Sequence, residues 1–169
     1  MPEEISSKES STTIFVPDTS AILTGKIDIY SLNSIVPESV LNEIRKGKES
    51  RIYNDGLHIL KTATPTHQSV EIVREAAKSS GDISFLSSTD IDVIAIALEV
   101  KGVILSDDYS LQNVASKLNI AFKPCGLKGI EKQIKWEFRC KACGLRRRER
   151  VEFCPVCGHV MTRYPVQKQ

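Results

Sequence analysis

Two Cys-x-x-Cys pairs, Cys140-Lys141-Ala142-Cys143 and Cys154-Pro155-Val156-Cys157, constrain this chain more than any other feature. Each is followed by a glycine, Gly144 or Gly158. A Cys-x-x-Cys turn presents two thiolates to one ion, and the glycine lets the backbone fold back beneath the sulfurs. Two such knuckles complete a tetrahedral Zn²⁺ shell. A C-terminal segment too short to fold by burial alone therefore becomes an ordered zinc ribbon. All four ligand positions are sulfur, so one structural zinc is expected at Cys140, Cys143, Cys154 and Cys157.

The 169 residues leave room for one ordinary domain before that module. Net charge is +2, but it is unevenly distributed. From Trp136 onward, Arg139, Lys141, Arg146, Arg147, Arg148, Arg150, Arg163 and Lys168 face three acids, Glu137, Glu149 and Glu152. The rest of the chain is acidic. A basic appendage on an acidic body points to a polyanionic partner. The first candidates for phosphate contact are Arg146, Arg147, Arg148, Arg150 and Lys141, which lie in and between the knuckles. Phe138, Phe153 and Tyr164 could stack on unpaired bases, but Phe138 and Phe153 are expected to pack the ribbon's small core instead. Trp136 is expected at the hinge between the two units.

No apolar leader opens the chain, and no run approaches the roughly 20 apolar residues that span a bilayer. A cytoplasmic protein without a membrane partner is expected, and in that compartment knuckle cysteines favour metal over disulfides. The remaining Cys125 reads as a small buried apolar residue.

Residues 1–12 have almost nothing to bury and are expected to be disordered. Beyond them, short apolar runs alternate with helical periodicity. Thr13–Pro17, Leu57–Leu60, Val103–Leu105 and Ile120–Phe122 read as strands. Helices are expected after Asp18, from Val36-Pro37, over 68–79, after Ser88-Thr89-Asp90 and after Asp107-Asp108. Continuously apolar strands alternating with helices argue for an α/β fold with a parallel sheet flanked by helices. The expected organisation is an α/β body over 13–122, a linker or short final helix over 123–135, the ribbon over 136–165 and a tail over 166–169.

Asp18 and the pair Asp107-Asp108 follow apolar strands, where sites form in open α/β sheets. Asp90 and Asp92 open a helix, and Glu43 lies inside one. Taken singly, Asp18, Asp90 and Asp107 or Asp108 could serve only as helix N-caps, and Glu43 could be a solvated helix residue. Together, hard carboxylate oxygens suit Mg²⁺ or Mn²⁺. Crowded carboxylates repel unless cations or raised pKa values relieve them. With metal bound, such a cluster can activate water against a phosphodiester.

Three segments, Val16–Ser20, Ser88–Ala97 and Ile104–Ala115, resemble those of the PIN-domain ribonucleases, and Val40–Ile44 resembles the segment with that family's helical glutamate. The resemblance implies Asp18, Glu43, Asp90 and Asp108 as metal-binding acids. Asp108 rather than Asp107 fits the family's Ser/Thr-x-Asp pattern at Ser106-x-Asp108. Asp107 is then an adjacent catalytic candidate and Asp92 an outer one. A PIN domain followed by a four-cysteine ribbon, with Asp107–Ala115, is similar to the archaeal NIN-one-binding (Nob) endonucleases. This implies cleavage of precursor small-subunit 16S-type rRNA at its 3′ end with Mn²⁺ or Mg²⁺, on a pre-ribosomal subunit and beside assembly factors. The alternatives are a VapC-like toxin ribonuclease acting on tRNA and a non-catalytic zinc-ribbon RNA-binding assembly factor.

Overall fold

The computed structural model describes residues 13–47 and 57–166. The N-terminal stretch expected to be disordered lies outside these residues, as do the last three positions of the C-terminal tail. Among the described residues the body has five short strands: β1 (Phe15–Pro17), β2 (Ile35–Pro37), β3 (Lys61–Ala63), β4 (Val103–Leu105) and β5 (Phe122–Lys123). Its α-helices are α1 (Thr19–Leu23), α2 (Glu38–Lys46), α3 (His67–Ser80), α4 (Ser88–Val100) and α5 (Tyr109–Lys117). β1, β4 and β5 form one parallel ladder, and β2 and β3 another. A parallel bridge between Phe15 and Ser34 sets β2 beside β1, giving the order β3-β2-β1-β4-β5.

The registers Val16↔Ile104 and Ile104↔Phe122 bring the carboxyl ends of β1 and β4 side by side. Val16, Ile94, Ile96, Ile104, Leu111 and Val114 are fully buried in one apolar core. Helix α4 is buried along most of its length, as its run Val93–Ala97 requires. Among the described residues, no helix is long and apolar enough to cross a membrane.

Several short elements differ from expectation. Leu57–Ile59 is a 3₁₀ turn, not a strand, and the strand follows at Lys61–Ala63. Val36-Pro37 begins no helix; it ends β2, and α2 starts at Glu38. The last body strand starts at Phe122 rather than at Ile120. The strand at Lys61–Ala63 is mostly exposed and lacks the apolar run that marks β1 and β4. The cap of α4 is Ser87, whose hydroxyl accepts from the Asp90 amide, while Asp90 closes the capping box.

The C-terminal unit is an antiparallel sheet of β6 (Trp136–Cys140), β7 (Arg146–Arg147) and β8 (Met161–Pro165), with β6 central. Phe138 and Met161 pack against Cys140 and Cys154 in its small core. Phe153 does not join them: it is 55% exposed, opposite the exposed Val160.

Candidate active site and cysteine centre

The structure gathers three of the aspartates at the carboxyl edge of the sheet. Asp18 leaves β1 and is 5% exposed, and its amide donates to Leu105 O at 3.0 Å. Its Oδ1 accepts from the Ala21 amide at 2.6 Å and from Ser20 Oγ at 2.9 Å, capping α1. Asp108 caps α5: its Oδ1 accepts from the amides of Ser110 at 2.6 Å and Leu111 at 3.2 Å. Asp90 accepts through Oδ2 from the amide and hydroxyl of Ser87, both at 2.8 Å. The capping bonds fall on one oxygen in each case, so serving as a cap and serving as a metal ligand do not exclude one another.

Electrostatics ties these three together. Burial pushes the Asp18 carboxyl above the ordinary aspartate value, and the charge on Asp108 pushes it further, against bonds from Ser106, Ala21 and Ser20. Burial raises Asp90 in the same way, with Asp108 and Asp18 adding to it. Elevation of this kind at Asp18 and Asp90 is what a bound cation would relieve.

Glu43 is exposed on α2 and reaches the same loop through Thr19, whose hydroxyl donates to Glu43 Oε2 at 2.8 Å. Asp92 is partly buried on α4, two positions beyond Asp90. Residues so spaced on a helix do not face each other, which separates it from the Asp90 carboxylate. Asp107 is turned elsewhere. Its Oδ1 accepts from the amides of Cys125 at 2.7 Å and of Gly126 and Leu127, both at 3.1 Å. Burial would raise it, but these three amides outweigh burial and hold it below the ordinary aspartate range. Cys125, beside it, is partly buried, and burial pushes its thiol up to about 12.

Sequence reasoning passed over Ser106 as an independent site residue. Fully buried, its hydroxyl accepts from the Asp108 amide at 3.0 Å and stands close enough to Asp18 to lower the pKa of that carboxyl. Its signal was present in the Ser106-x-Asp108 pattern itself.

In the ribbon, the sulfurs of Cys140, Cys143, Cys154 and Cys157 lie within 4.8 Å of one another. Cys140 and Cys157 are 3.4 Å apart and Cys143 and Cys154 3.5 Å. Four sulfurs at about 2.3 Å from one Zn²⁺ would stand in nearly this arrangement. Gly144 and Gly158 adopt positive φ, 76° and 73°, and their amides donate to Cys140 O and Cys154 O to close the knuckles. The four thiols shift in opposite directions, Cys140 and Cys154 lowered by backbone amides and Cys143 and Cys157 raised by the neighbouring sulfurs, as four crowded thiols that share protons would. Among the described residues these four converge on one point and their donor set fits zinc; the carboxylates at the sheet edge are oxygen donors of the kind hard divalent ions take.

Arg146 and Arg147 form β7, and with Lys141, Arg148 and Arg150 they are exposed. Arg150 folds back: its Nη1 lies 3.4 Å from Ser84 O, and the guanidinium stands 5.6 Å from the Phe85 ring centre. Trp136 meets the body through Arg163, whose guanidinium lies 3.5 Å from the Trp136 ring centre. Segment 124–135 forms no helix.

Residues 15–100 match the family described as PIN domain of ribonuclease. The chain is 41% identical over 151 residues to Ribonuclease VapC1 of Thermoplasma acidophilum, covering 89% of this chain and 78% of that protein. It is 41% identical over 150 residues to Endoribonuclease Nob1 of Archaeoglobus fulgidus, covering 86% and 87%. It is 36% identical over 149 residues to Endoribonuclease Nob1 of Pyrococcus abyssi, covering 85% and 88%. These stretches all exceed the 122 residues up to Phe122, so they continue past the body toward the knuckles.

Proposed function

The chain belongs to the PIN-domain ribonucleases, and from that premise we propose that it is a divalent-metal-dependent endoribonuclease cutting precursor small-subunit, 16S-type rRNA at its 3′ end. The observation that carries this reading is the joining of two units in one chain. One is an acid cluster at the carboxyl edge of a parallel sheet. The other is a basic four-cysteine ribbon. Relatives named Endoribonuclease Nob1 match across both. A cytoplasmic pre-ribosomal subunit, with its assembly factors, is then the partner.

Asp18, Glu43, Asp90 and Asp108 would hold Mn²⁺ or Mg²⁺, with Asp92 outside this set and Asp107 occupied by the 125–127 turn. A divalent ion held by these carboxylates would supply Lewis acidity for hydrolysis of a phosphodiester. The chain's own residues supply the rest. Ser106 anchors the Asp108 amide beside Asp18, and Thr19 keeps Glu43 turned toward the Asp18 loop. Burial of Asp18 leaves its carboxylate poorly hydrated, so that a cation bound there would displace little water. Cys140, Cys143, Cys154 and Cys157 would hold a structural zinc. Arg146, Arg147, Arg148 and Lys141 would contact phosphates without reading bases, with Arg150 partly engaged by the body.

A second reading, a toxin-type ribonuclease acting on tRNA, is favoured by the name of the VapC1 relative, whose match also extends past the body. Incubation with Mn²⁺ and an end-labelled RNA spanning the 3′ end of the small-subunit rRNA, mixed with tRNA, separates the two. One discrete cut in the rRNA with intact tRNA supports the first reading. Cut tRNA beside intact rRNA supports the second. Indiscriminate cutting or none defeats both.

A further inference from the structure

Arg163 of β8 is held by both units at once. Its guanidinium lies 3.5 Å from the ring centre of Trp136, in the ribbon, and 3.8 Å from that of Phe85, in the body. Its Nη1 donates to Ser110 Oγ at 3.1 Å, and its Nη2 pairs with Asp82, whose side chain is fully buried. Asp82 accepts through its other oxygen from Asn113 Nδ2 at 2.7 Å. Phe85 also stacks on Phe138 of the ribbon core, with ring centres 6.4 Å apart.

The intervening segment is fastened to the same helix. Gln112 Oε1 accepts from the Ile130 amide at 2.9 Å, and Asn113 Oδ1 from the Ile134 amide at 2.7 Å. Gln112 and Asn113 are buried, and Gln112 Nε2 reaches back to Ser106 O at 2.8 Å. The polar positions of Asp107-Asp108-Tyr109-Ser110-Leu111-Gln112-Asn113 thus divide between two tasks. Asp108 faces the acid cluster, whereas Asp107, Ser110, Gln112 and Asn113 grip the connecting strap or the ribbon. An arginine suits this place because its planar fork can meet two acceptors while its faces lie on aromatic rings, which a lysine cannot do.

We propose that Arg163 is a positioning residue that locks the ribbon to the first turn of α5. The basic hairpin and the acids then form one rigid unit that selects a single phosphate at a set distance along the RNA. The proposal rests on the nuclease reading above. A loosened ribbon would still bind zinc and RNA but would present a range of phosphates to the acids.

The test uses the full chain as wild type, Arg163→Ala, Arg163→Lys and the milder Ser110→Ala, each checked for one zinc per chain. Backbone ¹⁵N relaxation should give one correlation time for body and ribbon in the wild type. In both Arg163 variants it should be shorter for residues 136–165 than for the body. Cleavage mapping with Mn²⁺ should change from one band to several, with KM for the long RNA rising about tenfold and kcat on a short single strand unchanged. Ser110→Ala should give an intermediate pattern. Joint tumbling retained in Arg163→Ala, or a freed ribbon with the same single cut, overturns the proposal. A wild type that cuts no RNA sinks the nuclease reading, and the positioning role with it, whatever the tumbling shows.

Discussion

Thr19 donates a hydrogen bond to Glu43 at 2.8 Å across 24 residues of sequence, joining the first turn of α1 to the middle of α2. The glutamate is exposed, and this bond ties it to the loop of Asp18. Thr19→Val should leave the fold intact and weaken Mn²⁺ affinity or turnover by about tenfold, the usual scale for losing an outer partner of a ligand. Thr19→Ser should restore most of it. Calorimetric metal titration beside the cleavage assay checks this, and an unchanged Thr19→Val protein would remove Glu43 from the site.

Asp18→Asn separates activity from stability. The amide keeps an oxygen for Ala21 and removes a charge that burial and Asp108 both disfavour. Cleavage should fall by at least about a hundredfold. The metal-free melting temperature should hold or rise, and the added stability conferred by Mn²⁺ should disappear. A clearly lower melting temperature would mean that the carboxylate is needed for the fold.

The basic residues of the ribbon should not contribute equally. Arg146→Ala, Arg147→Ala and Arg148→Ala should each lower the slope of log Kd for RNA against log salt concentration by about one. Arg150→Ala should change it less, because that guanidinium already lies over Phe85 and near Ser84 O. Filter binding across a salt series distinguishes these outcomes.

Glu99 joins α4 to the start of α3. Its Oε1 accepts from the Thr66 amide at 2.7 Å, from the Thr66 hydroxyl at 2.8 Å and from Ser69 Oγ. Burial would raise its pKa, but these donors outweigh burial and hold it below the ordinary glutamate value. Its stabilisation is therefore present above the unfolded pKa and lost as pH falls through the lower folded one. Glu99→Gln should cost about 1 kcal/mol at neutral pH, a modest figure because solvent screens the exposed carboxylate. In urea unfolding curves the difference from wild type should shrink below about pH 4.

Metal removal should act on one unit only. Chelating the zinc or substituting Cys140→Ser should unfold residues 136–165 and leave the body's cooperative transition in place. The ribbon core is little more than Phe138, Met161 and the sulfurs. Protease mapping after chelation checks this, and a ribbon that stays resistant without metal would contradict the zinc assignment.

Much of this was legible along the chain. The knuckle spacing is local, so Cys140, Cys143, Cys154 and Cys157 announced a metal centre before any fold was known. The alternation of apolar strand and helix gave the parallel sheet, and each aspartate that follows a strand or starts a helix could be placed near its carboxyl edge. What failed was short or long-range. β3, Lys61-Thr62-Ala63, is mostly exposed and offers no apolar run, and β2 runs at Pro37 straight into the cap of α2. Phe153 has the composition of a core residue, yet it is 55% exposed beside Val160.

By itself, then, the sequence determined which donor groups the chain carries: four thiols in knuckle spacing, carboxylates after strands and at helix starts, and a run of arginines between the knuckles. Spacing within a few residues is enough for that, because a Cys-x-x-Cys turn or a capped helix is built from near neighbours. The Ser106-x-Asp108 pattern already set Asp108 apart from Asp107, but tertiary structure alone showed what Asp107 does, accepting from the amides of the 125–127 turn. It alone joined Arg163 to Asp82, which lies 81 positions away in the chain. A buried ion pair of that separation has no local trace, since its partners meet only after the sheet, the strap and the ribbon have closed around them.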